Sequence, residues 1–178
     1  RDPDLETLER VASGDIDAFS ALVDRHQGRL HALCERMLGE REEARDAVQE
    51  IFLKVFKKAG RFRPKGQVFT WIYRIAVNHC LNKLRRRKIV RFFSLSGERP
   101  EEGPVYEAQD EQAGPEKRML GRERWAVTRR ALDRLPESQR PVVVLAKFEG
   151  LSYREIAEAM GISESAVESR LVRAMRRL

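Results

Sequence analysis

Cysteine and histidine are scarce in this chain, with two cysteines and three histidines among 178 residues. Cys34 and Cys80 lie far apart and in no CxxC spacing, which excludes a disulfide scaffold and a zinc ribbon; we read both as small apolar core groups. The stretch HQGRLHALC offers His26, His31 and Cys34 as nominal metal ligands. Positions 26 and 34, however, fall on a helix stripe that already carries the apolar pattern, so no metal site is expected. No run approaches the roughly 18 apolar residues of a membrane span, and the opening RDPDLETL lacks the basic-then-apolar order of a signal peptide. The expectation is a soluble, cytoplasmic protein. A glycine-rich phosphate cradle is missing, as is any motif-placed set of serine, histidine and acid, so no catalytic residue, no cofactor and no enzymatic activity are predicted.

Charge is what the chain has in plenty. Charged residues make up 35% of it and the net charge is +7, a balance that favours a polyanionic partner such as nucleic acid. Strand patterns are absent, and helical ones recur. Phe19, Leu22, Val23, His26, Leu30, Leu33, Cys34 and Met37 fall at steps of three and four over residues 15 to 38, with Asp15 placed to cap the helix. A second stripe over 42 to 59 holds Ala44, Ala47, Val48, Ile51, Phe52, Val55 and Phe56, and GRFRPKGQ ends it. A third helix is predicted from Val68 to Arg87, with Ile72, Ile75, Ala76, His79 and Leu84 inward.

Character then changes. Residues 98 to 116 hold seven acids against one arginine, with three prolines and two glycines. Such a segment buries too little apolar surface to offset the entropy of ordering, so it reads as a linker. Just before it, KLRRRKIVR carries six positive charges. The fold class expected is therefore all-α: two small helical domains, 1–91 and 117–178, joined by an acidic flexible linker, 92–116. In the second domain a helix over 116 to 134 precedes another from about Glu137, in which Pro141 falls in the first turn, where its missing N–H costs little.

The final stretch LSYREIAEAMGISESAVESRLVRAMRRL holds a capping box at Ser152 and Glu155, a turn glycine at Gly161 and a second cap at Ser163. A small residue, Ala157, stands where two steeply crossed helices would touch. With Val167, Leu171, Ala174 and Leu178 inward, Ser165, Glu168, Ser169, Val172, Arg173 and Arg176 face outward. This is a helix-turn-helix whose second helix suits the DNA major groove. Its arginines can pair with guanine edges or phosphates, and Glu168 can accept from the cytosine amino group. On the third helix Trp71, Arg74, Asn78 and Asn82 recur on one face beside Tyr73 and lead to Lys83 and Arg85. Aromatic, cationic and amide groups in that order suit unstacked bases of a single strand.

These residues resemble the extracytoplasmic-function sigma factors of bacterial RNA polymerase. The blocks that carry the resemblance are EARDAVQEIFLKVF, FRPKGQVFTWIYRIAVNHCLNKLRRR and LPESQRPVVVLAKFEGLSYREIAEAMGISESAVESRL, in the family's order. The resemblance implies a first domain that binds core polymerase and melts the minus-ten element, a second that reads the minus-thirty-five element, and control by an anti-sigma factor. Asp46, Gln49, Glu50 and Phe52 would dock on core polymerase. Arg61, Arg63 and Lys65 of the loop 61–67, with Trp71, Arg74, Asn78, Asn82 and Lys83, would hold the unpaired minus-ten strand. The helix after Ser163 would read the upstream duplex. Ala166 and Glu168 depart from the family's usual threonine and basic residue, which bears on the preferred upstream sequence. The rival from another class is a stand-alone helix-turn-helix regulator, which predicts tight duplex binding without polymerase.

Overall fold

A computed structural model describes residues 2–63, 66–93 and 115–178, with the side chains of 91–93 and 115–122 left aside. Among the described residues there is no strand. The helices are α1 (Leu5–Ala12), α2 (Ile16–Leu38), α3 (Arg41–Lys58), α4 (Val68–Phe93), α5 (Pro115–Asp133), α6 (Arg140–Val143), α7 (Tyr153–Met160) and α8 (Glu164–Met175).

The first lobe follows its sequence pattern closely. Asp15 caps α2 by accepting from the Ala18 N–H, and that bond, together with the Arg10 guanidinium, holds its carboxyl below the usual range. Leu22, Leu30, Leu33, Ala47, Ile51, Val55, Ile72 and Ala76 are fully or almost fully buried where α2, α3 and α4 meet. Cys34 and Cys80 are buried there as well, their sulfurs 3.7 Å apart, and the contact with Cys34 together with burial pushes the Cys80 thiol up. Helix α1, which no periodicity announced, docks Leu8 and Val11 against α2. Its N-terminal Asp4 makes no side-chain cap; the buried carboxylate goes instead to His26, at 2.7 Å, and to Arg25. His26 is thereby a hydrogen-bond partner of that carboxylate in the core.

Helix α4 runs six residues past Arg87, to Phe93, and α5 begins at Pro115. The ends of the expected linker are therefore helical, and its middle, 94–114, lies outside the described residues. The helix expected from Glu137 starts at Arg140 instead, with Pro141 in its first turn. It then widens into a π turn, Val144–Phe148, in which Glu149 N–H donates to the Val144 carbonyl at 3.2 Å. Wide turns of this kind redirect the side chains that follow them, and here they precede Glu149, whose position decides how the lobes meet.

The helix-turn-helix forms as expected. Ser152 and Glu155 satisfy each other's backbone N–H groups, Gly161 sits at φ +65 in the left-handed region, and Ser163 accepts from Ala166 N–H at 3.2 Å. Ile156, Ala159, Val167 and Ala174 are fully buried. Leu178, expected inward, is instead about half exposed, because α8 ends at Met175 and the last residues leave the stripe.

The two lobes are packed on each other. Helix α7 lies against α4, and the π turn lies against α2.

Candidate nucleic-acid interface

Two surfaces gather the polar and basic residues singled out by the sequence. Ser165, Glu168, Ser169, Val172 and Arg173 of α8 and Arg176 at its C-cap are all exposed, with Val167 and Leu171 beneath them. Arg173 Nε donates to the Ser169 carbonyl at 3.1 Å, which leaves the rest of its guanidinium fork turned outward. A helix presenting two arginines, two serines and one carboxylate along an unobstructed face can contact phosphates and base edges in one groove.

The other surface lies on α4 and the loop before it. Arg61, Arg63, Arg74, Asn78 and Asn82 are exposed; Lys65 lies outside the described residues. Trp71 is half-buried, its ring meeting Phe62 edge-on at 5.4 Å between centroids, so one face rests on the core and the remainder is open to a partner. Tyr73 does not belong to this face. It is completely buried, and burial together with the neighbouring Glu149 carboxylate holds its hydroxyl well above the usual range. The amino terminus of α4 is held from a distance in sequence: the Asp2 carboxylate accepts from Val68 N–H at 2.5 Å. No local signal at positions 64 to 67 announced that cap, because its acceptor comes from the chain's beginning.

Helix α3 presents a third surface. Asp46, Gln49 and Glu50 are exposed along it. Phe52 is not at the surface: it is 5% exposed and meets Phe19 edge-on, because its position falls on the buried stripe with Val48 and Val55. Leu53, 56% exposed, takes the outward place next to it, an apolar group the sequence reading passed over because it breaks the inward periodicity.

Glu50 joins this surface to α4, lying 3.5 Å from Lys83 Nζ and 3.7 Å from His79 Nε2. His79 is buried, and its Nδ1 is 2.5 Å from Lys54 Nζ. An ammonium has no acceptor, so Nδ1 must carry the lone pair and the ring is neutral with its proton on Nε2. Burial first, then the Lys54 charge, holds its pKa below the ordinary 6.5, with Lys83 and Arg86 acting in the same direction and Glu50 opposing them. The unfolded chain therefore binds this proton more readily than the folded one, so stability falls as pH drops through about 6.5, and the loss levels off only below the folded pKa. Urea denaturation from pH 7.5 to 5 is expected to show this slope, and His79→Gln, which keeps an acceptor but cannot charge, to flatten it.

Helices α2 and α4 meet the second lobe at one buried carboxylate. The Glu149 side chain is 4% exposed, with Arg36 Nη1 at 3.2 Å and Arg29 Nε at 3.8 Å. The Tyr73 hydroxyl donates at 2.5 Å to Oε2, the oxygen nearest Arg29, while Arg36 faces Oε1. Arg36 also covers the Phe148 ring at 4.7 Å, and Arg29 the Phe69 ring at 4.3 Å. Sequence reading missed Glu149 because an acid at a helix end looks solvated until its partners, over a hundred residues away for Arg36, arrive by folding. Among the described residues no group of three or more His, Cys, Asp or Glu side chains could hold a metal ion, and no helix is long and apolar enough to cross a membrane.

Two family models match separate parts of the chain. Sigma-70 region 2 matches residues 22–89, and sigma-70, region 4 matches residues 126–178. The chain is 35% identical to the RNA polymerase sigma-H factor of Pseudomonas aeruginosa, across 98% of this chain and 91% of that protein. It is 36% identical to the ECF RNA polymerase sigma-E factor of Escherichia coli, across 94% of this chain and 87% of that one. Among solved structures it is similar to CnrH, determined in complex with the cytosolic domain of CnrY, with a TM-score of 0.71, 26% identity and coverage of 99% and 94% of the two chains. It shares the fold of the sigma factor RpoE of Bartonella quintana, determined with the anti-sigma factor NepR, at a TM-score of 0.69 and 22% identity over 89% of this chain and 92% of that one.

Proposed function

Because this chain belongs to the extracytoplasmic-function sigma factors, we propose that it binds core RNA polymerase in the cytoplasm and directs promoter-specific initiation, held in check by an anti-sigma factor. It performs no catalysis of its own; the bond-forming chemistry is the polymerase's. The first domain, 1–91, docks on core enzyme through Asp46, Gln49, Glu50 and Leu53 of α3, polar groups round an exposed leucine, the composition of an interface rim and its centre. Phe52 supports that face from beneath. The loop 61–67 and the α4 face hold the unpaired minus-ten strand, with Trp71 as the stacking ring, Arg74, Lys83 and the loop's Arg61, Arg63 and Lys65 as backbone cations, and Asn78 and Asn82 as base-edge readers. The second domain, 117–178, reads the minus-thirty-five duplex through α8.

The observation that carries this reading is the α8 face: Ser165, Glu168, Ser169, Val172, Arg173 and Arg176 are exposed together on a helix capped at Ser163 behind a left-handed turn glycine. Control by an anti-sigma factor is supported by the likeness to CnrH, which was determined bound to another protein. Transcription by core polymerase, with and without the chain, over a library randomised at both promoter elements tests the proposal directly. Starts confined to a shared pair of motifs are expected only when the chain is present; identical start sites in both reactions defeat it. Within that library Glu168→Ala is expected to relax the preference at one upstream base pair by about 1–3 kcal/mol, as the loss of one base-edge contact does, leaving the minus-ten preference unchanged.

A further inference from the structure

We propose that Asp2 is a positioning residue for capture of the minus-ten strand: its carboxylate fixes the first turn of α4, and with it the stance of Trp71. This rests on the assignment above of the loop 61–67 and the α4 face to that strand. The loop brings no cap of its own. The residues ahead of Val68 read RFRPKGQ, with no Ser, Thr, Asp or Asn among them, the side chains that close a helix's first turn. Trp71 N–H donates to the Gln67 carbonyl at 3.2 Å, and Val68 is the first residue of the helix. Its own N–H therefore has no carbonyl one turn behind to reach. Val68 is also completely buried, so water does not serve that group, and an unserved buried N–H is destabilising. The Asp2 carboxylate, 66 residues away in sequence, supplies the acceptor through Oδ2 at 2.5 Å. Its negative charge also suits the positive end of the helix. Trp71 stands three residues further on, about 4.5 Å along the axis, so a shift of that first turn is a shift of the ring.

Asp2 is itself held in place for this. Its Oδ1 accepts from Asp4 N–H at 3.0 Å and its carbonyl from Leu5 N–H at 3.3 Å, a turn that Pro3 stiffens by fixing its own φ. The buried Asp4 is pinned to α2 by His26 and Arg25, and α1 behind it rests Leu8 and Val11 on the same helix. The His26 ring in turn lies 5.9 Å from that of Phe69, the residue after Val68. Helix α1 also packs on the short 3-10 turn Ala59–Arg61, where the loop begins. One segment, residues 2–12, thus braces the loop at both ends: Asp2 at Val68, and α1 at 59–61. Both carboxylate oxygens of Asp2 are in use, one for each N–H, so an amide in its place would bring one oxygen to two donors. The sigma-70 region 2 match begins at residue 22, and the brace lies outside it.

The test is initiation by core polymerase carrying the full chain, on an intact promoter and on one already opened by mismatches over the minus-ten element. Asp2→Ala is expected to lower initiation from the intact duplex by about fivefold, the usual effect of a lost helix cap. On the opened template, where no unpairing remains to offset, the loss should shrink to about twofold or less. A mere shortage of folded chain would lower both alike. Asp2→Asn is expected to fall between Asp2→Ala and the parent on the intact duplex. Amide hydrogen exchange of the free chain gives a second readout. In Asp2→Ala the Val68 N–H should exchange about fivefold faster, while the Leu8 N–H, bonded to the Asp4 carbonyl at 2.8 Å, keeps the parental rate. Initiation by Asp2→Ala at the parental level, an equal loss on both templates, Asp2→Asn no better than Asp2→Ala, or an unchanged Val68 rate overturns the role of Asp2. So does exchange at Leu8 accelerated to the same extent, since α1 would then have come away as a whole. Each of these leaves the functional reading standing as long as the parent initiates at promoter motifs; a parent that does not do so overturns that reading, and the role of Asp2 with it.

Discussion

Replacing Arg74 and Asn78 together by alanine is expected to lower initiation from an intact duplex promoter about a hundredfold. Both side chains are exposed on α4, so their loss leaves the core untouched and stability within about 0.5 kcal/mol of the parent. The effect lies in the melted state. Extracting a base from the stack costs a few kcal/mol, and a site that rests the base on Trp71 while an amide and a guanidinium hold its edge and backbone offsets that cost. Removing two of the three groups forfeits about 2.7 kcal/mol, which is two factors of ten in rate. On a template already opened by mismatches over the minus-ten element, no unpairing remains to offset, and the deficit is expected to shrink to within tenfold. Run-off transcription on the paired templates measures both numbers. An equal loss on both would mean that the two residues act in something other than strand capture.

Placing aspartate at Val167 is expected to unfold the second lobe at growth temperature. Val167 is completely buried beneath the outward face of α8. The substitution loses roughly 1.5–3 kcal/mol of valine burial. It also strands a polar group with no partner, at roughly 1–3 kcal/mol more. The sum, on the order of 4 kcal/mol, is a large part of the stability of any small domain. Circular dichroism on heating should show an early melting step involving the helices after Pro136, with upstream-element binding lost at the same temperature. The neighbouring Glu168→Ala, one residue away but exposed, should melt like the parent. Failure to separate these neighbours would mean that the inward and outward faces of α8 have been assigned the wrong way round.

Much of the molecule was legible before folding because the forces concerned are local or periodic. Helix α2 begins where Asp15 can cap it, and the capping box at Ser152 and the turn at Gly161 needed only residues within one turn of each other. The α8 face was readable because a helix with one covered side leaves a single polar stripe. Where α4 was concerned, the same logic gave half the answer. The stripe through Ile72, Ala76 and His79 was visible, but Tyr73 and Val77, also completely buried, belong to a second stripe. Periodicity assumes one neighbour, and α4 has two: α2 and α3 on one side, the carboxyl-terminal lobe on another. On α3 periodicity placed Phe52 on the inward stripe, where it lies, and it was the resemblance that named it among the docking residues; Leu53, which is at the surface, went unmentioned.

The sequence by itself determined the helices, their caps, the bent pair that ends the chain and the polar faces of α4 and α8, since each depends on groups within about four residues of one another or on a repeat of three to four. Only the tertiary structure decided that Asp2 caps α4, that Asp4 meets His26, and that Glu149 is buried between Tyr73 and Arg36. A lone carboxylate carries no mark of its partner when that partner is far along the chain: its charge fits water as well as it fits an arginine, and only the packing of apolar surfaces around it removes the first choice.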